Sequence, residues 1–366
     1  MKWDFAIGNP PYQESGTTNN KAEAVYPHFY EGAEDIAERY LLISPARFLF
    51  NAGLTPKVWN EKMLSDKHIK LEKYYNNSAD IFPNTSINGG VAIVYRDSTK
   101  MFRPIFDFIP DEDLRKISEH FEKDEAHNMT SIMYGGRSVL KFNDYFLQVF
   151  PDTKNRILES IQRKHPEITE LGPNEEYEIK SSSFERTPYA FIDKQPKESE
   201  KYYRLLGIEN GKRTYKWVKR EYLKPRYPLH NNLEFYKIFI AKADGAAGTI
   251  GKPVPARILG TPVIGEPGES SFPSFISIGA FNTKQEAINA EKYIKSKLVR
   301  TLLGILKVTQ DVTPAKWAYV PLQDFTDNSD INWNTSIANI DKQLYKKYGL
   351  SQEEIDFIET HVKEMV

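Results

Sequence analysis

The stretch best suited to chemistry follows a short apolar run near the N-terminus and reads Asn9-Pro10-Pro11-Tyr12. Proline has no backbone donor and a fixed φ, and the residue before a proline is held extended. A buried strand over Phe5–Ile7 should therefore end at Gly8 and lead into a stiff loop. The loop carries an amide, unpaired carbonyl groups and an aromatic ring. Because ligands bind at the carboxyl ends of strands in open α/β sheets, it is a candidate site.

This loop resembles a known motif. Asn-Pro-Pro-Tyr after an apolar strand, with Asp4 and Phe5 before it, is similar to motif IV of S-adenosylmethionine-dependent amino-methyltransferases. The resemblance is to the adenine-N6 DNA enzymes of the gamma class, found in bacterial restriction–modification systems. The same tetrapeptide occurs in enzymes that methylate glutamine amides and structured RNA, so features elsewhere in the sequence must distinguish between these targets.

The elements around the loop predict an α/β arrangement. Helical periodicity begins at Pro27, the apolar run Tyr40–Ser44 indicates a strand buried on both faces, and a second helix is predicted after Thr55-Pro56. Strands near 69–75 and 91–95 complete the unit. Leu41–Leu49 is similar to the family's fifth-strand motif, and Phe82-Pro83 resembles the motif whose Phe closes the target pocket.

The predicted fold class is α/β, with a partial Rossmann-like methyltransferase sheet followed by an α+β target-recognition domain. We expect the second half of a catalytic domain in 1–110, a helical connector in 111–183, and the DNA-binding domain with C-terminal helices in 184–366. Asn210-Gly211 predicts a hairpin turn. Thr283 should begin a long helix reaching Ile305, and Ser351-Gln-Glu-Glu354 should cap a final helix.

The resemblance assigns roles to the loop. The Asn9 side-chain oxygen and the Pro10 carbonyl would hold both protons of the adenine amine and localise its lone pair, while the two prolines keep the loop rigid. The target base must leave the duplex, and Tyr12 and Phe82 would stack on its two faces. Phe82 could instead be an ordinary core residue, and Tyr12 an ordinary loop aromatic.

A locally basic stripe lies on a chain of formal net charge −1: residues 201–226 contain nine Lys or Arg and two Glu. Such a stripe suits contact with DNA phosphates. The candidates for DNA binding are Lys212, Arg213, Lys216, Lys219 and Arg220. A solvated hairpin face is an equal alternative.

The cofactor-binding residues remain unknown from the sequence. Family members carry a glycine-rich loop upstream of motif IV, but only eight residues precede Asn9, and the glycine-rich stretch 244–251 is predicted to be a loop. The strand Phe5–Ile7 should then lie at an open sheet edge, which can recruit another strand. S-adenosylmethionine is the implied cofactor, and the expected partners are double-stranded DNA and a missing N-terminal half or companion subunit.

Composition excludes several classes. The 366-residue chain has no Cys, which rules out disulfides, thiolate metal sites and the Cys nucleophile of cytosine-C5 methylation. Its seven His show no metal-ligand spacing, no apolar run is long enough to span a membrane, and no signal peptide precedes the first strand. A cytoplasmic protein without metal or membrane is expected.

The leading hypothesis is a site-specific adenine-N6 DNA methyltransferase of a restriction–modification system, incomplete in this chain. One alternative is a non-catalytic DNA-specificity module derived from such an enzyme. A second is an RNA or protein-amide methyltransferase, which the large, aromatic and locally basic C-terminal region disfavours.

Overall fold

The computed structural model describes residues 2–12, 24–50, 55–83, 85, 87, 89–106, 108–124, 126–243, 250, 254–307 and 310–365. The chain divides into two compact units, Met1–Pro110 and Asp111–Val366. The fold is mixed α/β with several sheets. No helix in the described ranges is long and apolar enough to cross a membrane. Most of the glycine-rich stretch 244–251 lies outside the described residues.

The first unit contains the alternation of strands and helices that the sequence predicts. Its elements are β1 (Ala6–Gly8), α1 (Tyr26–Ile36), β2 (Arg39–Pro45), α2 (Lys57–Ser65), β3 (Ile69–Tyr75) and β4 (Val91–Asp97). The strands form one sheet in the order β1-β2-β4-β3. β1 therefore lies at the sheet edge in the described part of the chain, as expected, with the Trp3 and Ile7 side chains 73% and 75% exposed.

The directions of these strands gather their ends on one side of the sheet. β1 pairs in parallel with β2, while β4 runs antiparallel to both β2 and β3. β1, β2 and β3 consequently all point the same way. Their carboxyl ends, at Gly8, Pro45 and Tyr75, lie along the same side of the sheet, which is where an open sheet of this kind presents ligand sites.

An aromatic cluster fixes α1 against this sheet. Tyr26, Tyr30 and Ala33 recur at helical spacing and are buried, so one face of the helix packs on the core. The Trp59 ring centroid lies 5.6 Å from that of Tyr30 and 5.3 Å from that of Phe48. Such edge-on pairs contribute about 0.5–1.5 kcal/mol each beyond their buried area.

The second unit mixes short strands and helices. Its strands are β5 (Met133–Tyr134), β6 (Leu140–Phe142), β7 (Tyr202–Glu209), β8 (Lys212–Lys219), β9 (Leu223–Pro225), β10 (Tyr236–Ala241), β11 (Val263–Gly265), β12 (Glu269–Ser271) and β13 (Phe275–Phe281). Its helices are α3 (Glu112–Ser118), α4 (Asp144–Val149), α5 (Thr153–Gln162), α6 (Ser183–Arg186), α7 (Lys284–Lys295), α8 (Lys297–Leu306), α9 (Ile337–Tyr348) and α10 (Gln352–His361). The sheets have the orders β11-β10-β13-β5, β12-β7-β8 and β6-β9.

Residues 111–183 contain strands as well as the predicted helices. β5 pairs with β13, and β6 pairs with β9, so both pair with strands from later in the chain. The further domain division expected at residue 183 stays a prediction.

Of three local sequence signals in this unit, two are confirmed by the structure and one is wrong. The hairpin is confirmed, because Glu209 pairs with Lys212 and both Asn210 and Gly211 have positive φ. The capping box of Ser351 and Glu354 is also confirmed. The single long helix after Thr283 is wrong: Ser296 adopts an extended conformation and its side chain caps α8, so two helices form.

A buried lysine gives the second unit a measurable pH dependence. Lys237 is fully buried, and its Nζ donates to the carbonyls of Leu233 and Glu269 at 3.0 and 2.9 Å. Desolvation by burial lowers the pKa of Lys237 from 10.5 to about 7. Between these values the unfolded state binds one more proton, so stability should rise with pH.

We expect the free energy of unfolding to increase by up to about 1.4 kcal/mol per pH unit more in the parent than in Lys237→Met between pH 7 and 9. Urea unfolding at pH 7, 8 and 9 measures the two slopes. Lys224→Met, which removes a lysine from the partly exposed strand β9, is the matched control and should keep the parental slope. Equal slopes for the parent and Lys237→Met would contradict the assignment.

Candidate functional site

The carboxyl end of β1 leads into the loop Asn9-Pro10-Pro11-Tyr12, on the side of the sheet where the carboxyl ends of β1, β2 and β3 lie. Pairing of Gly8 with Leu42 is the last rung between β1 and β2. Pro10 is buried whereas Asn9 and Pro11 are exposed, so the loop is anchored through one ring and presents its amide outward.

Tyr12 closes the loop onto Asn9. The Tyr12 hydroxyl donates to Asn9 Oδ1 at 2.8 Å, and the Tyr12 carbonyl accepts from the Val25 backbone at 3.3 Å. Partial burial raises the pKa of Tyr12, an effect that the hydrogen bond to Asn9 opposes. The hydroxyl therefore stays a donor near neutral pH. An amide oxygen has two lone pairs, so Asn9 Oδ1 keeps capacity for a second donor.

A second layer of polar groups lies at the end of β2. The Tyr30 hydroxyl and Ser44 Oγ are hydrogen-bonded at 2.9 Å, and both residues are fully buried. Burial raises the pKa of Tyr30, with the neighbouring Tyr26 and Tyr12 adding to the rise. Sequence reasoning missed Tyr30, because it predicts the apolar face of this helix from Phe29, Ala33 and Ile36, whereas Phe29 and Ile36 are 46% and 54% exposed.

Phe82 lies beyond the carboxyl end of β3. Its backbone N–H donates to the Ser78 carbonyl at 2.8 Å, and its own carbonyl accepts from Thr85 Oγ1 at 2.7 Å. The side chain is half-buried. Among the described residues, no ring contact joins Phe82 to Tyr12. The structure thus brings Asn9, Pro10 and Tyr12 together. Phe82 follows β3, two strands away from β1, on the side of the sheet where the carboxyl ends lie.

The predicted basic residues do not share one face. Side chains alternate along a strand, so Lys212 and Lys216 project from one face of β8, and Arg213 and Lys219 from the other. Arg220 follows in a 3-10 helix.

Carboxylates from several segments neutralise most of this stripe. Lys216 Nζ lies 3.0 Å from Asp193 and 2.8 Å from Glu209, and only 13% of its side chain is exposed. Lys219 and Arg220 pair with other carboxylates at 2.9 and 2.8 Å. Among the nine basic residues of 201–226, only two lack a carboxylate partner in the described structure, Lys212 and Arg213.

The described residues do not form a site for the implied methyl donor. Nucleotide-like cofactors are held where a glycine-rich turn connects a strand to the N-terminus of a helix. Here β1 leads into the proline loop, and β2 leads into the 3-10 helix Ala46–Phe50. The described residues that follow these two strands therefore lack the usual turn for this donor.

Comparisons with known proteins point to a restriction–modification origin. The Eco57I restriction-modification methylase family matches residues 1–82. An uncharacterized adenine-specific methylase of Mycoplasma pneumoniae is 37% identical over 95 residues, which cover 25% of this chain and 22% of that protein. The matched region is therefore a small part of the curated relative's length.

A solved structure of the type IIL restriction-modification enzyme MmeI in complex with DNA aligns with this chain. The alignment covers 98% of this chain and 57% of the MmeI chain. The identity is 11% and the TM-score is 0.35, too low to assign a shared fold. The family and sequence matches support a methyltransferase of the restriction-modification type.

Proposed function

We propose that this chain contributes the target-base side of an adenine-N6 DNA methyltransferase from a restriction–modification system. The observation that carries the proposal is the hydrogen bond of 2.8 Å between the Tyr12 hydroxyl and Asn9 Oδ1, in an Asn-Pro-Pro-Tyr loop at the carboxyl edge of the sheet. It fixes the plane of the amide and holds the aromatic ring beside it. The methylase match over residues 1–82 includes this loop.

The chemistry follows from the amine of adenine, whose lone pair is delocalised into the ring. Asn9 Oδ1 and the Pro10 carbonyl accept the two amino protons, which favours a pyramidal nitrogen with a localised lone pair. S-adenosylmethionine, when bound, supplies an electrophilic methyl group. The buried Pro10 ring keeps the two acceptors in place, so the amine is positioned without motion of the loop.

A base inside duplex DNA cannot reach this loop, so the adenine must be rotated out of the helix. Tyr12 stacks on one face of the extruded base. Phe82 is proposed for the opposite face, because it follows β3, whose carboxyl end lies on the same side of the sheet as that of β1, and because it makes no ring contact with Tyr12 that the base would have to break.

Double-stranded DNA is the proposed partner of the second unit. Lys212 and Arg213 are exposed at the start of β8 next to the hairpin turn, and they carry the positive charge that no described carboxylate neutralises. They are the strongest candidates for phosphate contacts, which position a protein on DNA without reading its sequence. Action on DNA agrees with the cytoplasmic location expected from the sequence.

A companion polypeptide is proposed to supply the methyl-donor site. Unpaired edges of sheets pair with added strands, and β1 presents such an edge with Trp3 and Ile7 exposed. The non-catalytic alternative, a DNA-specificity module, is favoured by one observation: neither described strand end of the site leads into a glycine-rich turn.

Replacing Asn9 with Ala should lower methylation by about 10²–10³ when this chain acts with the polypeptide that supplies the donor site, because one acceptor for the amine is lost. Tyr12→Phe keeps the ring and removes only the hydrogen bond to Asn9, so it should cost less than Tyr12→Ala. Transfer of radiolabelled methyl groups to DNA gives the rates, and DNA binding should be unchanged. Activity of Asn9→Ala within about threefold of the parent would remove Asn9 from the mechanism.

The chain by itself should bind S-adenosylmethionine weakly and show no methyl transfer, and both should appear when the complementing polypeptide is added in trans. Titration calorimetry and a methylation assay on each preparation measure this. Micromolar binding of S-adenosylmethionine by the chain alone would contradict the proposed division of the site. Complementation that restores cofactor binding without methylation would favour the specificity module.

The double substitution of Lys212 and Arg213 with Ala should weaken DNA binding across all sequences and lower the slope of log K against log salt by about 1.8, since each lost phosphate contact removes about 0.9. Lys216→Met should leave the slope nearly unchanged, because its ammonium is already paired with two carboxylates. Fluorescence anisotropy at several salt concentrations measures the slopes. Equal slopes for the parent and the double variant would show that the hairpin faces away from DNA.

A further inference from the structure

A cavity of about 630 Å³ opens in the second unit beside β7, β8 and the turn 266–269. Its volume falls within the range of about 300–1,000 Å³ that is usual for small-molecule sites. The walls include two aromatic residues, two arginines and a backbone turn, contributed by Tyr202, Arg204, Trp217, Arg220, Gly268 and Glu269. This combination can hold a flat ring on its face and bind its edge.

Arg204 is held in place on several sides. Its guanidinium carbon lies 4.0 Å from the centre of the Tyr215 ring and 5.8 Å from that of Trp217. Arg204 Nη1 donates to Glu269 Oε1 at 2.7 Å. A guanidinium clamped in this way loses little conformational freedom when it binds a further partner.

Glu269 is itself fixed and mostly buried. Its Oε2 accepts from the Glu266 backbone at 3.0 Å, and its carbonyl accepts from Lys237 Nζ at 2.9 Å. Both carboxylate oxygens are thus engaged. The Arg204–Glu269 pair therefore forms a rigid part of the cavity wall, held in place by the buried Lys237.

The charges in the cavity argue against a phosphate as its ligand. Glu269 compensates Arg204, and Glu234 compensates Arg220, whose Nη1 lies 2.8 Å from that carboxylate. The Arg220 guanidinium also packs 4.3 Å from the centre of the Tyr203 ring. With both cations neutralised, the cavity suits an uncharged, polar, aromatic ring better than an anion.

The hydrogen-bond donors of Arg204 indicate which aromatic ring the cavity could bind. Arg204 donates through Nη1 to Glu269, and its Nε and Nη2 have no acceptor among the described residues. Guanine offers two adjacent acceptors, O6 and N7, which an arginine binds in a two-pronged manner. Adenine presents a donor beside N7 and matches this arrangement poorly.

We propose that this cavity binds a guanine base, with its ring stacked on Trp217 and its acceptor edge hydrogen-bonded to Arg204. The base could belong to an extruded nucleotide of DNA or to a free guanine nucleoside. A paired base cannot enter a cavity, so a guanine of DNA would have to be extruded from the duplex. This source rests on the proposed action on DNA, whereas binding of free guanine is independent of the proposed function.

Calorimetry with the full chain tests the shared chemistry. The probes are the nucleosides deoxyguanosine, deoxyadenosine, deoxycytidine and thymidine, with deoxyribose as the ligand that lacks a base. We expect deoxyguanosine to bind at least tenfold more tightly than the others, and Arg204→Ala and Trp217→Ala to abolish the preference. Arg156→Ala is the matched control, because Arg156 also pairs with a carboxylate (Asp152) over an aromatic ring (Tyr189), away from the cavity lining.

Arg204→Lys keeps the charge but not the two-pronged geometry, so it should lose the preference as well. Circular dichroism spectra identify any variant that does not fold, and the lysine variant keeps the test decisive if Arg204→Ala unfolds.

Anisotropy with labelled duplexes distinguishes the two sources. A duplex with one unpaired guanine should bind more tightly than the fully paired duplex or one with an unpaired adenine, and Arg204→Lys should remove the difference. Selectivity for deoxyguanosine without selectivity among duplexes supports the site with a free nucleoside as ligand. No guanine preference in either assay, or one that Arg204→Lys leaves intact, overturns the proposal. The methylation rate of Asn9→Ala reports on the proposed function separately.

Discussion

The parallel pairing of β1 with β2 is the constraint on which the candidate site depends. β1 has three residues, yet its register with Tyr40, Leu41 and Leu42 decides which way the following loop points. A shift by one residue would move the loop by about 3.3 Å and turn each side chain to the opposite face. Backbone hydrogen bonds of Trp3 with Ile36 and Glu38, at 2.7 and 2.9 Å, extend this short strand and hold the register.

The aromatic core beneath the sheet supports the same edge. Tyr30 packs against Trp59 and Phe48 and hydrogen-bonds Ser44, so helix α1 and strand β2 are joined at the end nearest the loop. Tyr12 lies close enough for its charge state to influence the pKa of Tyr30. A loop that rests on a rigidly packed core and has an exposed amide is consistent with the positioning role proposed for Asn9.

In the second unit, acidic residues from separate segments decide what the basic residues can do. Seven of the nine cations in 201–226 lie beside a carboxylate, in several cases one far away in the sequence. A basic side chain that is paired with a carboxylate is held in place and is less available to contact phosphate, as Arg204 is beside Glu269. Positive charge without a carboxylate partner remains at the tip of the hairpin, on Lys212 and Arg213.

The sequence by itself determined the elements of the first unit, the proline loop and the hairpin, because each depends on local rules of periodicity, proline geometry and positive φ. It also located Asn9 and Tyr12, which are three residues apart. The tertiary structure decided what joins distant residues: the bond between Tyr30 and Ser44, the pairing of Arg204 with Glu269 and the cavity around Arg204. No local pattern encodes these contacts, since strand order and packing bring their partners together only in the folded chain.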